Sequence, residues 1–253
     1  MRPSVAHLCR QRAKKNDLKP HRSQTWCIGQ LDAAFLARME HLLAIYALPY
    51  DPAYPVVCFD ERPCFLIGDT LVPVPMQEGK VRKQHYAYEK FGSCALLAAI
   101  EPLTGMRLGQ VHQQRTKREY TQFCQAVAAQ YPDATKIRLV QDNLNTHNAS
   151  SFYAHLPAQE AFALAERFEF IYTPKSASWL NMIECEFSVV ARQCLDRRIP
   201  SIEQLRTETL ALLSERSAKG IKIHWQFSIP AARSKLNTHY TKVHPDNEQY
   251  KKT

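Results

Sequence analysis

Residues 55–61 read PVVCFDE, a short apolar run that closes on two carboxylates. A strand with one wet face alternates apolar and polar side chains. This run does not alternate, so it reads as a central strand covered on both faces. Residues 137–143, IRLVQDN, repeat the pattern: an apolar strand ending at Asp142 and Asn143. Between the two, residues 64–74 and 94–100 (CALLAAI) read as strands. EPLTG at 101–105 reads as a turn, and 106–112 as the second arm of a hairpin. Helical spacing then places a helix over about 117–130, with Tyr120, Phe123 and Val127 inward. Residues 148–167 are helical with an interruption near Pro157, 168–172 form a strand closed by Thr173 and Pro174, and helices fill roughly 181–195 and 201–217. Upstream, 31–48 is a helix with Phe35, Met39, Leu42, Leu43 and Tyr46 on one broad face. Early strands joined by short turns imply an antiparallel meander, and strands separated by helices imply parallel additions to the same sheet. The expected fold is α/β: a five-stranded mixed sheet, antiparallel in its first three strands and parallel afterwards, with helices on both faces.

The bulk composition bounds the function. The chain has 253 residues, 45% hydrophobic and 23% charged, an ordinary globular balance with ample material for a core. No apolar run approaches the roughly 18–20 residues a membrane span needs. The basic N-terminus lacks the apolar segment of a signal peptide, so a cytoplasmic location is expected. A net charge of +9 favours a polyanionic partner, with nucleic acid the leading candidate. The eight cysteines include no CxxC pair, and reduced, buried thiols fit them better than disulfides or a zinc site. The seven glycines form neither GxGxxG nor a phosphate-binding loop, which removes support for a nucleotide-binding fold.

Three acidic residues stand out by position: Asp60 at the end of the first strand, Asp142 at the end of the first strand after the meander, and Glu184 in the first turn of a late helix. Strand ends and helix starts are where sites assemble in open sheets. Converging there, three carboxylates make a hard, oxygen-rich pocket suited to Mg²⁺ or Mn²⁺. Each position also has a structural alternative. Asp60–Glu61 fits a solvated strand end, Asp142–Asn143 a turn or helix cap. Asn181–Met–Ile–Glu184 fits a capping box. Periodicity does not choose between Glu184 and Glu186, because Ile183, Phe187, Val190 and Cys194 define the buried stripe and the two glutamates flank it on opposite sides.

Taken together, CFDE (58–61), VQDNLNTH (140–147) and YTPKSASWLNMIECEFS (172–188) resemble the DDE transposases of the mariner superfamily, and most closely its bacterial insertion-sequence branch. The resemblance runs from about residue 4 to residue 217. By position it makes Asp60 the first acidic residue, Asp142 the second, and Glu184, through Asn181-x-x-Glu184, the third, with Glu186 as runner-up. The second interval is longer than is usual among animal members, and residues 157–167 account for the extra length. The resemblance implies a ribonuclease H-like fold with two catalytic Mg²⁺ or Mn²⁺ ions held by Asp60, Asp142 and Glu184. It also implies cleavage of double-stranded DNA at element terminal repeats, strand transfer into target DNA, and a homodimer holding two ends. In a bacterial cell such a protein is nucleoid-associated when bound to DNA.

Other residues are open to two readings. Asn143, Asn145 and His147 line the pocket or contact DNA in one, and form a hydrogen-bonded helix start in the other. Lys175 is a phosphate contact or a solvated lysine, and Arg192, with Arg197 and Arg198, is a phosphate-binding surface or a basic helix end. Arg115, Lys117 and Arg118 crowd a helix start, where positive charge opposes the helix dipole, and this favours DNA binding. Trp179 and Leu180 read as packing residues that aim the Glu184 helix. The expected organisation is a remnant of a helix-turn-helix and linker over 1–22, a linker helix over 23–52, a catalytic domain over 53–200, and a C-terminal helix with a basic tail over 201–253. An upstream helix-turn-helix polypeptide joined by frameshifting would complete the DNA-reading part. The alternatives are a ribonuclease H-like nuclease without strand transfer and a truncated, inactive DNA-binding relic.

Overall fold

The computed structural model describes residues 31–250; the helix-turn-helix remnant and linker expected over 1–22, and residues 23–30 of the expected linker helix, lie outside them. Five strands form one sheet: β1 (Val56–Asp69), β2 (Tyr88–Ile100), β3 (Arg107–His112), β4 (Ile137–Gln141) and β5 (Phe168–Tyr172). Their order is β3-β2-β1-β4-β5. The β1–β2 and β2–β3 pairs are antiparallel, and β1–β4 and β4–β5 are parallel. The sheet is that of a ribonuclease H-like fold.

Alternation along β1 explains why its sequence has no polar face. Cys58 joins a core layer with Met39, Leu42, Ile183, Phe187 and Leu205, while its neighbours Val57 and Phe59 join a second layer with Tyr120, Phe123, Val127 and Phe152. The first layer packs α1 (Ala33–Tyr46), α5 (Ile183–Gln193) and α6 (Ile202–Ala218) on one face. The second packs α2 (Lys117–Gln130), α3 (Ser150–Tyr153) and α4 (Ala158–Glu166) on the other. Fully buried side chains such as Phe59 and Phe123 each contribute about 1.5–3 kcal/mol. Pro157 separates α3 from α4 where the sequence places the interruption.

Two expectations are corrected. Residues 64–74 are not a separate strand. β1 runs unbroken to Asp69, with a bulge between Leu66 and Ile67, and pairs with β2 throughout. Pro63 lies in the middle of this strand. However, β4 pairs β1 only from Val56 to Cys58, so Pro63 sits where one edge of β1 is open and its missing N–H is tolerated. The β1–β2 hairpin therefore projects as an arm. Arg198 holds its far end, where residues 70–87 connect the two strands, donating to Asp69 Oδ1 at 2.8 Å and to the carbonyls of Ala87 and His85, each at 2.8 Å.

The second correction concerns the basic tail. Residues after Lys219 return to the body as α7 (Ile229–Lys235) and α8 (Asn237–Val243). Arg233 forks onto Glu40 of α1 at 2.7 and 2.8 Å, and the Tyr240 hydroxyl donates to the same carboxylate at 2.7 Å. Gly105 permits this return. Its φ is +83°, and a Cβ there would stand 2.8 Å from the Ile221 carbonyl oxygen.

Candidate functional site

Strand register aligns the first two carboxylates. Cys58 faces Val140 across the parallel β1–β4 pair, so Asp60 and Asp142, each two residues further on, stand level at one end of the sheet. Asp60 does not end its strand as the sequence suggested: it lies within β1, and what ends near it is β4, whose last residue is Gln141. The third acidic residue arrives by a tether. Asn181 Nδ2 donates to the Phe59 carbonyl at 2.8 Å, one residue before Asp60, and the Tyr46 hydroxyl donates to the Leu180 carbonyl at 2.9 Å. These bonds fix the start of α5, whose first turn carries Glu184. Asn181 thus serves the site by holding β1, in place of the capping box with Glu184. Leu180 is fully buried and Trp179 packs edge-on against Phe227, so both act as packing residues.

The charge environment is in keeping with this placement. Burial pushes the Asp60 carboxyl up to about 6, and the negative charges of Asp142 and Glu184 add to the rise against the Glu61 N–H and His147. Glu184 is raised by burial, with Arg62 opposing. Asp142 is also partly buried, but hydrogen bonds from His147 and the Leu144 N–H, with the His147 and Arg115 charges, hold it below its ordinary value. His147 sits between two carboxylates, with Nδ1 2.6 Å from Asp142 Oδ1 and Nε2 3.2 Å from Glu61 Oε1. Both ring nitrogens therefore donate. Burial disfavours the charged ring, yet these bonds raise its pKa to about 9.

Glu186 is a different kind of carboxylate. Arg107 meets it at 2.7 and 2.8 Å and Arg216 at 2.9 and 3.0 Å, all within a buried cluster. With both oxygens engaged by guanidinium groups, Glu186 has none to offer a cation, and the choice left open by periodicity falls to Glu184.

The remaining residues divide by exposure. His147 is 1% exposed, so the reading of it as a DNA contact is corrected: Phe59 and Tyr120 enclose the ring. Asn143 donates to the Thr173 carbonyl at 2.7 Å, and the Asn145 carbonyl accepts from Asn148 at 2.8 Å, so both also serve the local fold. Arg115, Arg118, Lys175 and Arg192 are exposed, and Lys117 is half-buried. The Thr116–Glu119 capping box offsets the positive cluster at the start of α2. Lys175 lines an open cleft of about 410 Å³ with Arg38 and Asp32.

Sequence reasoning missed Glu61. It shares the strand face of Phe59, beneath α2, and a carboxylate on that covered face requires a buried partner, which His147 supplies.

Among the described residues no three His, Cys, Asp or Glu side chains form a ready-made metal cage. The donor set nevertheless fits a hard divalent cation. Asp60, Asp142 and Glu184 offer only carboxylate oxygens, and the burial of Asp60 beside the charges of the other two is what such an ion relieves. Asp142 Oδ1 is already bonded to His147, which leaves Oδ2 to the site.

Comparison with known proteins agrees with this geometry. The chain is similar in fold to the Mos1 mariner paired end complex with Mn, at 15% identity and a TM-score of 0.55, covering 96% of this chain and 72% of that one. It is similar also to the Mos1 strand transfer complex, at 13% identity and a TM-score of 0.55, covering 95% and 70%. No curated protein matches the sequence. The family model described as DDE superfamily endonuclease matches residues 55–206, which include Asp60, Asp142 and Glu184, and the chain belongs to that family.

Proposed function

We propose that this protein is a transposase of the bacterial insertion-sequence branch of the mariner superfamily, acting on double-stranded DNA at element terminal repeats and on target DNA. Residues 53–200 are its catalytic domain, 23–52 the link to a DNA-reading part, and 201–253 a C-terminal segment. Asp60, Asp142 and Glu184 hold two Mg²⁺ or Mn²⁺ ions. Such ions, when bound, supply activation of an attacking oxygen and stabilisation of the leaving one in phosphoryl transfer. Exposed Arg115, Arg118, Lys175 and Arg192, with Lys117, face phosphates. The single observation that carries this reading is the convergence of the three carboxylates at one sheet end, which the raised Asp60 pKa registers. The Mn²⁺ and strand transfer named for the two similar Mos1 structures support the ions and the joining step. Two element ends held together call for a homodimer. Among the described residues no helix is long and apolar enough to cross a membrane.

The test is cleavage of a labelled duplex carrying the flanking terminal repeat. Cleavage that needs divalent metal and fails with Asp142→Asn supports the nuclease, and joined products support the transposase. Metal-independent cleavage, or cleavage unaffected by Asp142→Asn, contradicts the assignment.

A further inference from the structure

Packing holds Asp142 only in part: its side chain is 46% exposed. Its neighbour His147 is the opposite. The imidazole stacks on Tyr120 at 4.9 Å between centroids and 28° between planes, and meets Phe59 edge-on at 5.2 Å. The His147 carbonyl accepts from Gln141 Nε2 at 2.9 Å and from the Tyr172 hydroxyl at 3.0 Å, and Gln141 Oε1 accepts in turn from the Tyr120 hydroxyl at 2.8 Å. The ring is therefore fixed in position before it touches either carboxylate. Its Nδ1–H then takes Asp142 Oδ1 at 2.6 Å, and its Nε2–H takes Glu61 Oε1 at 3.2 Å. Glu61 Oε2 is buried without a hydrogen-bond partner, and Arg115 Nη1 stands 3.8 Å from it. A buried carboxylate with one oxygen left unpaired is costly, and a merely structural role would have been filled more cheaply by an apolar side chain.

We propose that Glu61 and His147 form a buried positioning pair that locks Asp142 by Oδ1 and presents Oδ2 to a divalent cation. Neither residue is a ligand. Glu61 holds the imidazole with both N–H groups directed outward, and His147 passes that orientation to the half-exposed carboxylate. Outer groups of this kind orient the carboxylates that bind metals, and their loss typically weakens binding by about 10–100-fold. The inference rests on the reading of Asp142 as a metal ligand.

The two ring nitrogens can be tested separately, because an asparagine amide nitrogen lies near the Nδ1 position and a glutamine amide nitrogen near Nε2. The measurement is Mn²⁺ binding to the full chain, followed by the loss of the free-ion electron paramagnetic resonance signal, with terminal-repeat DNA present. His147→Gln, which keeps the bond to Glu61 and drops the bond to Asp142, is expected to weaken binding by about 10–100-fold. His147→Asn, which keeps the bond to Asp142, is expected to lose clearly less. Glu61→Gln is isosteric and retains an acceptor for Nε2. It is expected to fold with a thermal midpoint lowered by loss of the buried charge pair, and to bind Mn²⁺ less tightly than wild type at a temperature where both are folded. Wild-type affinity in both His147→Gln and Glu61→Gln, alongside loss in Asp142→Asn, overturns the positioning role and leaves the active-site reading standing. Equal weakening in His147→Gln and His147→Asn also overturns it. A wild-type chain that binds no Mn²⁺ overturns the inference and the site together.

Discussion

Glu184 and Glu186 lie two residues apart on one helix and have opposite chemistry. Glu184 points to the end of the sheet, near Asp60, where burial raises its pKa and only Arg62 opposes. Glu186 turns to the other side of α5, where Arg107 and Arg216 outweigh the burial penalty and hold its pKa below the ordinary value. The first environment leaves negative charge under-compensated, an arrangement of use only if a cation is to arrive. The second compensates it fully and ties β3, α5 and α6 together. A carboxylate's role is therefore set by what surrounds it, and a helix can carry both roles on nearly opposite sides, because two residues are about 200° apart around its axis.

The comparison can be broken by exchanging losses. Glu184→Gln is expected to reduce metal-dependent cleavage by more than about 100-fold, beyond the usual cost of an outer group, with a thermal midpoint at or slightly above wild type because repulsion with Asp60 is relieved. Glu186→Gln is expected to do the reverse. Removing one partner of a buried ion cluster costs about 3–5 kcal/mol, seen as a midpoint lowered by roughly 6–20 °C, with cleavage retained at temperatures where the protein stays folded. A stable Glu186→Gln protein, or an unstable Glu184→Gln one, breaks the distinction.

Smaller effects sharpen it. Asn181→Ala removes the donor that ties the Glu184 loop to the Phe59 carbonyl, leaving that buried oxygen unpaired at about 1–3 kcal/mol. Urea denaturation measures the loss, and a fall in cleavage beyond it shows displacement of Glu184. The smallest effect lies away from the site. Glu40 is held below its ordinary pKa chiefly by its hydrogen bond from Arg233, with burial opposing. A depressed carboxyl stabilises the fold above its unfolded pKa and loses that contribution as pH falls through the folded value. Arg233→Met is expected to cost up to about 1 kcal/mol at pH 7 and to flatten the stability loss below about pH 4.5, as followed by thermal melts across that range.

The two kinds of carboxylate also mark what the sequence could convey. Strand periodicity at 55–61 and 137–141, the loop lengths and the helical faces of Phe35–Tyr46 and Tyr120–Val127 were legible, because local side-chain patterns encode which faces are covered. The continuous β1 was not, since the tolerance of Pro63 depends on how far β4 reaches. Nor was the fate of the tail, where Arg233 finds Glu40 nearly the whole chain away. At the site, the motif positions of Asp60, Asp142 and Glu184 were legible. The burial of His147 and the capture of Glu186 by Arg107 were not, because both depend on partners distant in sequence that only the folded sheet brings close.

The most direct measurement compares Mn²⁺-dependent cleavage of a terminal-repeat duplex by wild type, Asp142→Asn, Glu184→Gln and Glu186→Gln at a temperature where all four are folded. Cleavage by wild type and Glu186→Gln, with none by the other two, is the expected result. Cleavage by Glu184→Gln with silence from Glu186→Gln would contradict the assignment of the third carboxylate, and cleavage by Asp142→Asn would contradict the site itself.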